Sequence, residues 1–347
     1  MKILNQTNLN LTNKRLHSAL LALIGVFLVF GTIVPANKAQ AITISPPRIE
    51  VSGDPGTTVS GEIKVNNDTL EDQVYYTQIE NFEAGDESGN PTFVVAQEGL
   101  ATWVVVDKNF SVESGQEKAI PFSIKIPANA EPGGYFASIF VRTTPPPANG
   151  GEVSIGARVG SLVLLRVNGD IAEGVDILEF STKSKGKFFT SLPVELYYRF
   201  QNTGADRVKP EGKVAVKNIL GMNAKLLSAN PTDGSVLPRS IRRFEMAWVN
   251  GGGGEEDPQA KAEALENLGF FEAAKSQLSN FAFGYYTAKL DITFGQNNNS
   301  AQESFGFFVI PWQLLLIVLV GLIVILVFFK VVLKQYTKYI IAKHGSN

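Results

Sequence analysis

Residues 314–329 are sixteen consecutive positions without a charge, all Leu, Ile, Val or Phe apart from Gly321. A helix with no polar face cannot lie on the surface of a soluble domain, and at this length it reads as a membrane span rather than a buried core helix. With Trp312 at one interface and Lys330 snorkelling to the other, a span of 312–333 covers about 30 Å of hydrocarbon. Each central Leu, Ile, Val or Phe favours insertion by roughly 0.3 to 0.6 kcal/mol. Lys330, Lys334, Lys338 and Lys343 follow with no acid among them. The positive-inside bias therefore assigns 334–347 to the cytoplasm as a basic tail and everything before the span to the outside.

The other end of the chain agrees. Lys14 and Arg15 precede an apolar run over 16–34, Pro35 breaks it, and Ala39-Gln40-Ala41 offers small residues for cleavage. This is the order of a secretory signal peptide covering 1–41, with an uncleaved signal anchor as the alternative. The resulting expectation is a single-pass, type I plasma-membrane protein with an extracellular ectodomain.

Charge and inventory narrow the chemistry of that ectodomain. All 33 acids but only 23 of the 31 Lys and Arg lie between residues 42 and 310, so that segment carries −10 against −2 for the whole chain. An acidic surface repels phosphate backbones, which argues against nucleic acid as a partner. The chain has no Cys, and its two His, His17 and His344, fall in the predicted signal peptide and tail. A hydrolase triad needs a base that the ectodomain lacks, and zinc sites built on His or Cys fail likewise. No enzyme activity and no cofactor is expected. Carboxylate pairs such as Glu71/Asp72, Asp86/Glu87 and Glu255/Glu256 read as solvated charges rather than a glycosidase pair. Residues 86–90 lack the ligand spacing of a calcium loop and read as a hairpin loop, and the glycines at 251–254 lack the Lys and Ser/Thr of a phosphate loop.

Between the two ends, short β-rich runs alternate with Gly, Pro and Asn punctuation, the pattern of immunoglobulin-like β-sandwiches. Strands are predicted at 58–66, 73–82, 102–106, 117–126 and 135–143, then a hairpin from 153–157 and 161–167, which closes a first domain at 42–169. Ile120, Phe122, Ile124 and Ile126 alternate and face one core. Pro46-Pro47 suits an edge strand or a bend. The second series, at 175–181, 193–202, 212–218, 224–228, 241–248, 283–294 and 302–309, makes a second sandwich over 170–310. A helical insert interrupts it at 257–279: Asp257 can cap, Pro258 suits the first helical position, and Leu265, Leu268, Phe271, Ala274 and Leu278 recur on one face. The insert either caps the open end of the sandwich or presents Phe270, Phe271 and Leu278 to a partner.

Several of these segments resemble the peptidoglycan-binding domain of WxL-interacting surface proteins. The residues concerned are Ile44-Ser45-Pro46-Pro47, Pro55-Gly56 with 61–67, Trp103, the stretch 127–135 with its Pro-Gly-Gly-Tyr, 160–165, and Gly169-Asp170. The order of parts is similar too, with a second β-domain carrying Asn202-Thr203-Gly204 and 209–212, then a span and a basic tail. The resemblance implies cell-wall association, a host-binding-like second domain and a WxL-type partner. The expected function is non-catalytic adhesion to cell-wall glycan, a surface protein, or both. Exposed aromatics are the usual sugar platforms, which makes Tyr75, Tyr76 and Tyr135 candidate ligand-binding residues, while Trp103 reads as core. The alternative is an envelope assembly subunit or chaperone that receives a protein partner by β-strand addition.

Overall fold

The computed structural model describes residues 42–95, 97–145, 157–249 and 268–344, the last five of these as backbone alone. The predicted signal peptide at 1–41, residues 146–156 and the first part of the helical insert lie outside the described residues.

The first domain is a two-sheet sandwich. Its strands are β1 (Ile42–Ser45), β2 (Arg48–Gly53), β3 (Thr58–Asn67), β4 (Gln73–Ala84), β5 (Pro91–Val94), β6 (Val104–Val106), β7 (Asn109–Val112), β8 (Glu117–Lys125), β9 (Gly133–Arg142) and β10 (Arg158–Val167). One sheet runs β1-β3-β8-β6, the other β2-β10-β9-β4-β5 with β7 also paired to β4. The period-2 patterns meet in the middle: Ile63 and Val65, then Ile120, Phe122, Ile124 and Ile126, face Ile139, Val141, Val163 and Leu165, all buried. The first strand is divided between the sheets. β1 pairs antiparallel with β3, Pro46 and Pro47 intervene, and β2 then pairs parallel with β10.

Two expectations for this domain are corrected. The strand predicted at 102–106 begins as a helical turn, α1 (Leu100–Trp103), and only β6 is extended. Gly99 takes a positive φ of 80°, which redirects the chain, and the Asn81 side chain accepts from the N–H of Ala101 at 2.8 Å. The hairpin predicted from 153–157 and 161–167 is not what β10 forms. Its inner neighbour is β9, in register from Arg158↔Arg142 to Val167↔Gly133, and 153–156 lie outside the described residues.

The second domain repeats the plan with β11 (Val175–Thr182), β12 (Phe188–Phe189), β13 (Val194–Asn202), β14 (Glu211–Asn218), β15 (Asn223–Ser228), β16 (Ile241–Trp248), β17 (Gly284–Phe294) and β18 (Asn299–Val309). A three-stranded sheet, β11-β13-β16, faces a five-stranded one, β12-β18-β17-β14-β15. The core holds Tyr198, Phe200, Phe244, Trp248 and Phe307 with the aliphatic residues between them. The described part of the insert is the ten-residue helix α2 (Phe270–Ser279), preceded by Gly269. Its packed residues are Ala274 and Gln277, whereas Phe271 and Leu278 are exposed, so of the described residues on the predicted apolar face only Ala274 packs.

The last helix, α3 (Trp312–His344), is 33 residues long and is apolar enough to cross a membrane. It does not stop at 333. The segment expected to be a separate basic tail continues as helix to His344, which carries Lys330, Lys334 and Lys338 at four-residue steps along one side.

The domains meet through specific contacts rather than a bare linker. The tip of the β4–β5 hairpin reaches the second domain, where Glu87 accepts from Arg199 Nε at 2.9 Å and from Arg199 Nη2 at 2.5 Å, and its carbonyl accepts from the Arg243 N–H at 2.7 Å. Arg166 pairs with Asp206 at 2.9 Å, Arg207 with Glu50 at 2.8 Å, and the Gly134 N–H donates to Ala205 at 2.9 Å. Glu87, predicted as a solvated charge, is therefore half of an interdomain clamp. Its carboxyl lies below the usual carboxylate range, first because of the Arg199 hydrogen bonds.

Candidate functional site

Strand β10 is the place where the first domain leaves backbone open inside a sheet. Its inner edge is fully paired with β9, but on its outer edge the ladder with β2 begins only at Leu162↔Arg48. The cause is local sequence: the first strand crosses between sheets at Pro46-Pro47, and proline cannot donate to a ladder. Among the described residues, no strand of the same sheet lies beside Arg158, Val159 or Gly160 on that side. Leu162 and Asn168 donate outward, to Pro47 at 2.9 Å and Gly53 at 3.0 Å. Strand alternation then points the N–H groups of Gly160 and Arg158 the same way.

The surroundings of this notch are built. Ser161 is buried and its hydroxyl donates to the Pro46 carbonyl at 2.7 Å, which closes the ladder at its last paired position. Gly160 has no room for a side chain, since a Cβ there would lie 2.6 Å from Ser138 Oγ and 2.8 Å from the Phe140 ring. Phe140 stacks edge-on with Phe93 at 4.8 Å, and the Arg158 guanidinium covers Phe140 at 4.1 Å. Arg158 is held there by the buried carboxylate of Glu80 at 3.2 Å, itself bonded to Gln78, which accepts from Arg142. An apolar floor and a fixed cation thus lie beside the unpaired peptide groups of Arg158 and Gly160, close to β1 of the other sheet.

Several other sheet edges carry features that keep edges from pairing. β5 opens on Pro91, β6 has three residues and β12 two. β11 is bulged between Ile177 and Glu179, and the β14–β15 ladder shifts between Val216 and Lys217.

The predicted site residues do not form one site. Tyr75 is 0% exposed, its ring packs on Phe110 at 5.9 Å, and its hydroxyl donates to Asn67 at 3.1 Å. It is a core residue and cannot serve as a sugar platform: on β4 it faces inward while its neighbour Val74 takes the outer face. Tyr76 is half-buried, between Asn109 and Arg142 in the ladder. Tyr135 is half-buried against Trp103 at 4.6 Å, with its hydroxyl donating to the Glu131 carbonyl at 3.0 Å. Burial raises the pKa of the Tyr75 and Tyr135 hydroxyls, the behaviour of packed phenols. Phe270, Phe271 and Leu278 lie at the opposite end of the molecule on α2, with Phe271 78% and Leu278 65% exposed.

A cavity of about 280 Å³ at the domain junction is lined by Arg166, Arg207 and Lys209 together with Glu173, Asp206 and Glu211. Three cations against three carboxylates leave no excess charge to recognise an anion. Among the described residues there is no cluster of three potential metal ligands.

Sequence reasoning missed the notch because it is a property of pairing, not of composition. The available signal was Pro46-Pro47 within an otherwise β-rich start.

No protein-family model and no curated protein matches the chain. Among solved structures, the chain is similar to the class 5 fimbriae chaperone CfaA, at 12% identity over 78% of this chain and 100% of that one, with a TM-score of 0.37. It is also similar to a Salmonella enterica structure of the SafA pilin with the SafB chaperone, at 10% identity over 79% and 99%, with a TM-score of 0.34. A third is the CsuC–CsuE chaperone–tip subunit pre-assembly complex of Acinetobacter baumannii, at 12% identity over 59% and 89%, with a TM-score of 0.31. At TM-scores below 0.5 these likenesses carry no inference about what the chain binds.

Proposed function

We propose that this chain is a membrane-anchored, non-catalytic protein-binding subunit whose first domain receives an extended segment of a partner by strand addition at β10. The observation that supports it is the unpaired outer edge at Arg158–Gly160, continuous with the β2 ladder and flanked by the Phe140–Phe93 floor. A strand added there extends the line of β2 along β10, and main-chain hydrogen bonds supply affinity while alternate side chains supply specificity. The reading is preferred to glycan adhesion because Tyr75, named for sugar stacking, lies inside the core. Anchoring is assigned to α3, with the two sandwiches outside and the lysine-bearing end of the helix in the cytoplasm.

The test has two stages. A photo-cross-linking residue at position 158 on intact cells captures the neighbour, and hydrogen exchange on the purified complex then reads the Gly160 amide. Strand addition requires that amide to become protected while the Leu162 amide, already bonded, changes little. A captured partner that leaves Gly160 exchanging as in the free protein rejects the site. Retention of the chain on isolated peptidoglycan with no captured protein rejects the reading in favour of wall adhesion.

A further inference from the structure

The register of the five-stranded sheet decides which residues lie beside the start of α3. Val309 ends β18 three residues before Trp312, and it pairs with Gly284 at the start of β17. One row further in, Phe308 pairs with Tyr285 on one side and Phe188 on the other. In the next row Tyr286 pairs with Phe307 and with Asn218, the last residue of β14. The turn from β14 to β15, Ile219-Leu220-Gly221-Met222, therefore projects from the same end of the sheet as the membrane helix. Trp248 closes β16 against Tyr286 at 4.7 Å, so the helical insert also leaves and rejoins the fold at that end.

Several elements expose apolar side chains at that end, beside the lysine-bearing turn at 183–187. Ile219 is 78% exposed, Leu220 76%, Met222 56% and Phe188 71%. Turn tips normally carry polar residues, and a contiguous exposed apolar surface marks a contact. On α2, Phe271, Lys275 and Leu278 share one exposed side at four- and three-residue steps, beside the buried Ala274, with Glu272 and Ser279 at its margin. The helix is pinned to the start of α3. Buried Gln277 donates to the Gln313 side chain and accepts from the Leu314 N–H at 3.0 Å, one of the free amides of the first turn, and Phe270 packs on Trp312 at 5.8 Å.

We propose that this end of the second domain is a membrane foot. The β14–β15 tip, Phe188 and the Phe271–Leu278 side of α2 rest in the boundary between headgroups and acyl chains of the bilayer that α3 crosses. The proposal rests on the reading of α3 as a span. The occupant follows from continuity: α3 starts three residues after the paired row Gly284↔Val309, so its entry brings that end of the sheet to the bilayer surface. Five strands at about 4.8 Å spacing make this end roughly 20 Å wide, enough to orient the domain rather than merely tether it. Helix α2 lies in the interface with Phe271 and Leu278 toward the acyl chains and Lys275 between them snorkelling to the headgroups, and Trp312 sits at the depth of an aromatic belt. The insert is then neither a cap on the sandwich nor a site for a protein partner.

The chain has no Cys, so single cysteines can carry an environment-sensitive fluorophore in the full-length protein. Leu220→Cys and Phe271→Cys report on the foot, Val320→Cys on the span, and Leu70→Cys, 85% exposed in the first domain, on bulk water. In nanodiscs of phosphatidylcholine and phosphatidylglycerol, labels at 220 and 271 are expected to be quenched by a nitroxide placed high on the acyl chain. They should be shielded from iodide about threefold or more relative to position 70. If Val320 is lipid-quenched while either 220 or 271 stays open to iodide, the foot is overturned and the span stands. If Val320 is itself open to iodide, the span reading falls and the foot with it. Shielding from both quenchers at 220 and 271 would mean contact between copies of the chain, which also overturns the proposal.

Discussion

Replacing Asn67 by Ala is expected to destabilise the first domain by about 3 to 4 kcal/mol, although Asn67 stands in a turn-like Asn-Asn-Asp sequence. The residue is 0% exposed at the end of β3. Its amide nitrogen donates to the carbonyls of Glu71 at 2.9 Å, Val112 at 3.0 Å and Glu113 at 3.3 Å. Its amide oxygen accepts from the Thr69 N–H, the Thr69 hydroxyl and the Tyr75 hydroxyl at 3.1, 2.7 and 3.1 Å. Of these partners, the Val112 carbonyl and the Tyr75 hydroxyl are bonded in fully buried surroundings. Each left unpaired costs about 1 to 3 kcal/mol, and the half-buried partners recover part of their loss through water. Tyr75→Phe removes only one donor from an oxygen that keeps two others, for a loss of about 1 kcal/mol.

The two changes must also couple. Once Asn67 is Ala, the Tyr75 hydroxyl is already unpaired, so removing it should cost nothing or restore stability, giving an interaction energy of about 1 to 2 kcal/mol. Hydrogen exchange of the slow amides of β3 and β8 on the full-length chain, as a function of urea, reads the first domain separately from the second. A Tyr75→Phe variant with unchanged exchange but weakened binding to cell wall would refute the reasoning and return Tyr75 to the ligand-contacting role its sequence suggested.

Glu87→Gln should loosen the domain junction without unfolding either sandwich, seen as faster exchange at the Arg243 amide while β3 and β17 amides are unchanged. Because the folded Glu87 carboxyl lies below its ordinary value, its contribution is present above the normal carboxylate range near 4.3 and is lost as pH falls through the lowered value, so wild type at acid pH should approach the variant. Solvent screening keeps the effect small, since the two side chains are 31% and 39% exposed. Gly212→Ala is expected to cost at least about 1 to 3 kcal/mol in the second domain, because φ is +145° and a Cβ would lie 2.2 Å from the Asp291 carbonyl oxygen. Thermal unfolding with a second-domain transition equal to wild type would refute that.

The sandwich class was legible because two-residue alternation survives in the strands that meet at each core, as in Ile120, Phe122 and Ile124. The long apolar helix α3 was legible because an uncharged run of that length has few other solutions. What escaped the sequence were short edge strands: β1, β2, β5, β7 and β12 are two to six residues long and carry too few alternations to register. The notch at β10 escaped with them, since it exists only where β2 fails to extend. Asn67 and Asn202 were legible as turns but not as buried hubs. Asn202 ends β13 as Asn67 ends β3, and it too donates to backbone carbonyls, those of Asp206 and Val236, and accepts from a nearby backbone N–H. Nothing in the letters separates an exposed turn asparagine from one folded back under its own strand.

The foot and the notch gain meaning from the rigidity between them. The foot gathers at the Gly284 end of β17, and the junction residues Ala205 and Asp206 follow the opposite end of the domain, where β13 closes at Asn202. β17 has eleven residues, so at about 3.4 Å each the junction stands some 35 Å from the foot. Glu87 clamped by Arg199, Arg166 by Asp206 and Gly134 by Ala205 fix the first domain on that far end through hydrogen bonds from several elements at once. A flexible tether would let the β10 edge sweep down to the bilayer and offer its open peptide groups to neighbouring chains at every height. If α3 spans the bilayer as proposed, a domain planted by its base and clamped at its top would confine that edge to one distance from the membrane, so that only a partner presenting an extended segment at that distance could complete the sheet.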